Sequence, residues 1–322
     1  MLTAAFLCAP IISDDAPVFV KCARAADGGG AGNMTAIDRI AYYRRFLKLP
    51  DAPEDSALSA RAGEGAMAEF ADVKASASPG AGDVTVRVTS KSGIMNPTEA
   101  LGITGIKGPM SGGDVIDRMM ALPFTALRII DPQLARVGFG LQCDATACAA
   151  VMAVRRGLDK SVRLELYEAS DADRYWNPNL GPVPPTPAKL NTPVEFPPDG
   201  GLAPELAYTD SDWPAPLSAC PGYATPTGPP IILQLGKGAS NDGPDVSSHT
   251  LTHDGQDVEH CLIAQASLGE SGRSNPIWQF LNAFGAVIII PRAPLAPSST
   301  YAVSITADSN NNAWSFRTPA KP

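Results

Sequence analysis

Fifteen of the chain's 31 prolines fall in residues 178–230, and no other feature of the 322-residue sequence constrains its fold as strongly. Proline has no backbone N–H and fixes φ at about −65°, so it breaks helices and is kept out of central strands. A stretch that contains Gly181-Pro-Val-Pro-Pro-Thr-Pro187 is therefore extended, polyproline-like or looped. The charge divides near the same place. Residues 1–157 hold 16 basic and 16 acidic side chains, and residues 158–322 hold 9 and 17, so the whole formal charge of −8 lies in the second half. At roughly 150 residues per domain the length fits two domains with different surfaces.

The first half reads as helices followed by a hairpin. Residues 35–48 form a helix in which Thr35 and Asp38 resemble a capping box. Ile37, Ile40, Ala41, Arg44 and Leu47 share one face, with Arg44 at its edge, and Pro50 ends the helix. A second helix over about 56–74 carries Leu58, Ala62, Ala66, Phe70 and Val73 on a stripe. Residues 75–112 are rich in Gly, Ser, Pro and Thr, with one strand-like run at Val84–Val88; a short helix near 113–121 then leads into a hairpin over 136–156. This order predicts an α+β domain. From residue 231 short strand candidates recur, at Ile231–Leu235, His249–Thr252, Val258–Ile263, Ala286–Ile290, Tyr301–Thr306 and Trp314–Arg317. Turn chemistry at Asp254-Gly255 and Asp308–Asn312 separates them, and Asn275–Phe284 is the helical exception. An all-β sandwich over the last part of the chain follows.

Six cysteines point to an oxidising compartment. Cys143 and Cys148 flank a hairpin loop, Asp144-Ala-Thr-Ala147, and residues facing each other across such a loop have nearly the Cβ separation a disulfide needs. Cys220–Cys261 and Cys8–Cys22 would complete a set, although spacing alone does not fix connectivity. The expected location is secreted, periplasmic or on the cell surface, with residues 1–33 as an exported N-terminal segment. Asn33-Met-Thr35 is a glycosylation sequon, meaningful in a eukaryotic secretory pathway. No apolar run reaches the roughly 18 residues of a membrane span. A pI of about 4.9 argues against a phosphate-tracking nucleic-acid binder.

All three histidines lie together, at His249, His253 and His260, so the first 248 residues contain no imidazole chemistry. With Asp254, Asp257 and Glu259 they are the one concentrated set of possible ligands. Strand alternation puts His249, Leu251 and His253 on one face and Val258, His260 and Leu262 on a face of the next strand. A surface zinc site there is geometrically allowed, against the plainer reading of three ordinary sheet histidines. No Gly-x-Ser-x-Gly element occurs, and a Ser/His/Asp triad assembled in space is left open. Asp210 and Asp212 read as a solvated pair on a loop, and Asp242, Asp245 and Asp308–Asn312 as simple turns.

Two segments of the first half resemble the bacterial form of the CAP superfamily (cysteine-rich secretory, antigen 5 and pathogenesis-related proteins). Ala36-Ile-Asp-Arg-Ile-Ala-Tyr-Tyr-Arg-Arg-Phe-Leu-Lys-Leu-Pro50 is similar to its first helix. Leu122-Pro-Phe-Thr-Ala-Leu-Arg-Ile-Ile-Asp-Pro-Gln-Leu-Ala-Arg-Val-Gly-Phe-Gly140 is similar to the segment that ends in Asp-Pro and then a Gly-x-Gly strand. Pro193–Gly200 and Pro294–Thr318 resemble the Pro-rich segment and Ig-like domain that follow CAP domains in some exported bacterial proteins. The resemblance implies an α/β/α CAP-like domain at 34–157, a Pro-rich extended segment at 158–229 and an Ig-like β-sandwich at 230–322. It also implies a cleft with two histidines and two acidic residues able to hold a divalent metal. Here Thr125-Ala126 stands where a histidine is common, Ser92–Pro97 supplies no second one, and Gly112-Gly-Asp114 is at best a remnant of the Gly-Glu-Asn element. The expected cleft is therefore vestigial, marked by Phe124, Thr125, Arg128 and Asp114, with no metal and no cofactor. The expectation is an exported, non-catalytic binding or structural protein whose partner is a small molecule or an envelope protein. The alternative is a secreted hydrolase with its active residues in the acidic second half.

Overall fold

The first helix starts because Thr35 turns its hydroxyl back onto the chain: Oγ1 accepts from the Asp38 N–H at 3.1 Å and donates to the Asp38 carboxylate at 2.7 Å. In this computed structural model the described residues are 34–76, 100–107, 110–156, 192–209, 212, 214–236, 243–268 and 275–320. The run at Val84–Val88, Asp210, Asp242 and the pair Cys8 and Cys22 lie outside them. Helix α1 spans Ala36–Phe46, and α2 spans Ser56–Ser76. Asp55 opens α2, its carboxylate accepting from the N–H groups of Ala57 and Leu58 at 3.0 and 3.1 Å.

Strands β1 (Ala100–Lys107), β2 (Leu134–Cys143) and β3 (Ala147–Arg156) form an antiparallel sheet in the order β1-β3-β2. Helix α2 covers one face through Leu58, Ala62 and Ala66, packed on Val151 and Ala153. Gly138 and Gly140 make this approach close: a Cβ on either would strike the α2 backbone, at Leu58–Ser59 and Ala62–Gly63 respectively. The other face packs on α1, α3 (Gly112–Met120) and α4 (Pro123–Ile129), through Ile40, Ile116, Met119 and Leu127 against Val137, Ala150 and Met152. Three layers result, helix on both faces of the sheet. Both α4 and β1 go beyond the sequence reading, which runs directly from the helix near 113–121 into the hairpin.

The second half holds two antiparallel sheets. One has the order β4-β5-β9-β8, from Val194–Phe196, Ile231–Gln234, Ala286–Pro291 and His260–Ile263. The other has the order β11-β10-β6-β7, from Asn310–Arg317, Thr300–Ala307, Val246–His253 and Gln256–Asp257. The sheets enclose Ile231, Leu233, Leu251, Ile289, Val303, Ile305 and Phe316 between them. Helix α5 (Pro276–Phe284) is capped by Asn275 and ends on Gly285 in the left-handed conformation.

The described part of the proline-rich stretch, from residue 192, straps onto this pair of sheets. It supplies edge strand β4, and Pro197 accepts the Trp314 indole N–H at 2.9 Å. Residues 200–203 then run beside β11, where Gly200 N donates to Ser315 O at 2.7 Å and Ala203 N to Arg317 O at 2.8 Å. The two halves also share one apolar cluster: Ile40, Met119 and Leu127 belong to it together with Phe196, Ile232, Phe280 and Ile288. Within α1, Arg44 departs from its expected place at the edge of the apolar face. It is fully buried, because the turn after α1 and the end of α4 surround it with backbone carbonyls.

Candidate functional site

Helix α4 begins with Pro123 and has Leu122 at its N-cap, a residue with no side-chain acceptor. The first N–H of the helix, on Phe124, donates instead to Asp212 Oδ2 at 2.9 Å, and Thr125 Oγ1 stands 3.5 Å from Asp212 Oδ1. The backbone N–H of Asp212 donates in turn to the Tyr208 hydroxyl at 3.0 Å. The sequence reads Asp212 as a solvated loop residue, and at 5% exposure it is a buried one. The physical reason is the uncapped helix start, which gives a buried carboxylate donors to bind.

Phe280 of α5 completes the enclosure. Its ring lies 5.2 Å from that of Phe124 between centroids, and the Arg128 guanidinium carbon sits 4.9 Å from its centroid. Phe124, Thr125 and Arg128 are each 3% exposed or less. The three lie on the one short helix α4, and Asp212 and Phe280 of the second half are seated against them. Asp114 plays a different part: on α3 its carboxylate accepts from Ser111 Oγ at 2.8 Å and from Ser111 N at 3.3 Å, closing a capping box. These residues do not suit the divalent metal that the resemblance would imply. They offer no imidazole, the Asp114 carboxylate is engaged on Ser111, the Asp212 carboxylate is engaged on the start of α4, and Arg128 adds a positive charge. Among the described residues no three His, Cys, Asp or Glu side chains converge for a metal.

Two of the three histidines meet across the two sheets of the second half. His249 lies on β6, His260 opens β8, and His249 Nδ1 is 2.8 Å from His260 Nε2, with the rings nearly perpendicular at 74°. His260 Nδ1 is 2.6 Å from the Val258 carbonyl. A carbonyl only accepts, so His260 Nδ1 carries a proton, and in the neutral pair Nε2 accepts from His249 Nδ1–H. The alternation expected for both strands holds, since Leu251, Val258 and Leu262 face the core between the sheets. His253 leaves the group, stacked on Tyr301 at 4.7 Å with Asp254 Oδ2 3.5 Å from its Nε2 on an exposed turn. None of the three is hydrogen-bonded to a serine among the described residues.

Two disulfides are formed. Cys143 and Cys148 bridge as directly opposed residues of β2 and β3, with Cα atoms 4.1 Å apart. Cys220 and Cys261 tie the proline-rich stretch to β8, with Cα atoms 5.7 Å apart. Beside the first bridge, the Lys74 ammonium and then Thr146 hold the Asp144 carboxyl well below its usual pKa. Asp144 thus joins the end of α2 to the hairpin loop, at 2.7 Å from Lys74 Nζ. The described residues contain no helix long and apolar enough to cross a membrane.

An open groove of about 520 Å³ lies elsewhere, on the outer face of the β6-β10-β11 sheet. Thr250, Thr252, Ser304, Ser315 and Asp199 line it, and none of the residues nominated from the sequence does. Sequence reasoning missed Asp212 and Phe280 as partners of the 124–128 segment. The available signal was a helix start at Pro123 with no capping residue of its own. With the geometry in hand, comparison with known proteins adds no identity: no protein-family model matches the chain, and no curated protein matches its sequence.

Proposed function

We propose that the chain is an exported, non-catalytic binding or structural protein, built as a degenerate CAP-like domain strapped to an Ig-like sandwich. The carrying observation is the fate of the 122–128 segment. Phe124, Thr125 and Arg128 are buried under the chain's own Asp212 and Phe280, so the place where the family would keep its metal cleft serves here as an internal joint. Support for the fold reading comes from the layer order, with α2 pressed on the Gly138-Phe-Gly140 strand and α1, α3 and α4 behind the sheet. The two disulfides support an oxidising compartment. Binding then falls to outer surfaces, with a small molecule or an envelope protein as the partner.

Elemental analysis of the purified full-length protein tests the reading. Less than a tenth of an equivalent of zinc per chain after dialysis against zinc-containing buffer is the expected result. One equivalent of zinc, lost on replacing Asp212 or Asp114 by Ala, would overturn it.

A further inference from the structure

We infer that the His249–His260 hydrogen bond is a proton-operated latch between the two sheets of the second half, closed at neutral pH and opened by full protonation of the pair. The two rings come from different sheets, and they are the side chains that meet at this edge of the inter-sheet core, beside Leu251, Val258 and Leu262. The bond tolerates zero or one added proton. In the neutral pair His249 Nδ1–H donates to His260 Nε2; with one extra proton either ring still finds a lone pair on the other. A second proton leaves two N–H groups and two positive charges facing each other at 2.8 Å, with no acceptor between them.

The surroundings leave this interaction in control. Burial, followed by the neighbouring His260 ring, lowers the His249 pKa from its usual value. Asp257 on β7 is exposed, and Glu259 is turned outward to Arg292 at 3.1 Å. His253 and Asp254 are at the far end of β6, and Tyr301 of β10 is stacked on His253. Asp245 and Asp308 lie at the strand's opposite end, joined through the Asp245 N–H. Strands β5 and β9 bring no titratable side chain. Opening parts the sheet that carries β6, paired along its length with β10, from β8, which is held by the Cys220–Cys261 bridge and by Arg292 N donating to Glu259 O at 2.9 Å. The linkage sign follows. A histidine whose folded pKa is depressed contributes stability that is present above its unfolded pKa of about 6.5 and is lost as pH falls through the folded value.

With three histidines in the chain, ring-nitrogen NMR of the full-length protein labelled at histidine resolves each one. The expected result is a protonated Nδ1 on His260 at pH 7.5, and uptake of two protons by the 249/260 pair at two separated pH values. His253, outside the pair, gives a separate signal. Amide exchange over residues 248–257, corrected for its intrinsic pH dependence, should quicken about tenfold across the second step. His249→Gln supplies the control, since its carboxamide can donate to neutral His260 or accept from protonated His260, so the acid-induced opening should vanish. Independent single-step titration of His249 and His260, or the same acid response in His249→Gln, would overturn the latch. Should that variant not fold, the wild-type titration decides alone.

Discussion

Arg44 is fully buried, and its guanidinium is distributed over four backbone carbonyls: Pro50 at 2.8 Å, Ile129 at 2.7 Å, Asp131 at 2.8 Å and Leu134 at 3.4 Å. Burial pulls its pKa down to about 10, still far above neutrality, so the charge stays and faces the carbonyl end of α4. Arg44→Met strands those acceptors and should cost about 3–5 kcal/mol in urea unfolding, with Arg44→Lys restoring only a part. Tyr43, one residue earlier, donates to Asp117 Oδ1 at 2.7 Å, and the same carboxylate takes Arg39 Nε and Nη2 at 2.6 and 2.9 Å. Burial first, then the Asp117 charge, hold the Tyr43 pKa well above its usual value. The unfolded chain loses that proton near pH 10 and the folded chain keeps it, so stability falls as pH climbs past about 10. Tyr43→Phe should flatten that alkaline fall and lower stability at pH 7 by about 1.5–3 kcal/mol, both readable from urea midpoints between pH 7 and 10.5.

At the scale of elements, the contact of α2 with its sheet rests on two glycines that permit close approach and one that is idle. Gly140→Ala drives a methyl into the Ala62–Gly63 backbone and should destabilise by about 1–3 kcal/mol. Gly63, inside the same helix, has nothing within 4 Å of the place a methyl would occupy, so Gly63→Ala should stabilise by about 0.5–1 kcal/mol. Thermal midpoints moving in opposite directions check the pair. Elements of this kind were legible in the sequence because their causes are local: a Thr35 cap, a Leu58/Ala62/Ala66 stripe, two cysteines flanking a turn. The alternation that put His249 on a face with Leu251, and His260 on a face with Val258 and Leu262, was legible too, though not that these faces turn inward and meet. What escaped depends on distant partners. Helix α4 has seven residues and borrows its cap from Asp212, 88 positions away, while β1 exists through its pairing with β3. The burial of Arg44 escaped because a charged residue on an apolar stripe is ordinarily an edge residue, and most of its carbonyl partners come from a stretch about 85 positions away.

For the whole molecule, the shared apolar cluster carries the main expectation. Ile40, Met119 and Leu127 belong to the same cluster as Phe280 and Ile288, so calorimetry should show one cooperative transition for the two halves. Phe280→Ala should lower it by about 3–5 kcal/mol while keeping it single; two resolved peaks in the wild type would show halves that melt separately. The Cys220–Cys261 bridge has a mechanical consequence of its own. It closes a ring over a sequence separation of 41, enclosing β5, β6 and β7. A chain stretched from its ends cannot release that ring, and roughly 140 Å of contour length stays locked until the bond is reduced. The second half is thereby given a fixed limit of extension, and the latch histidines lie within the shielded length.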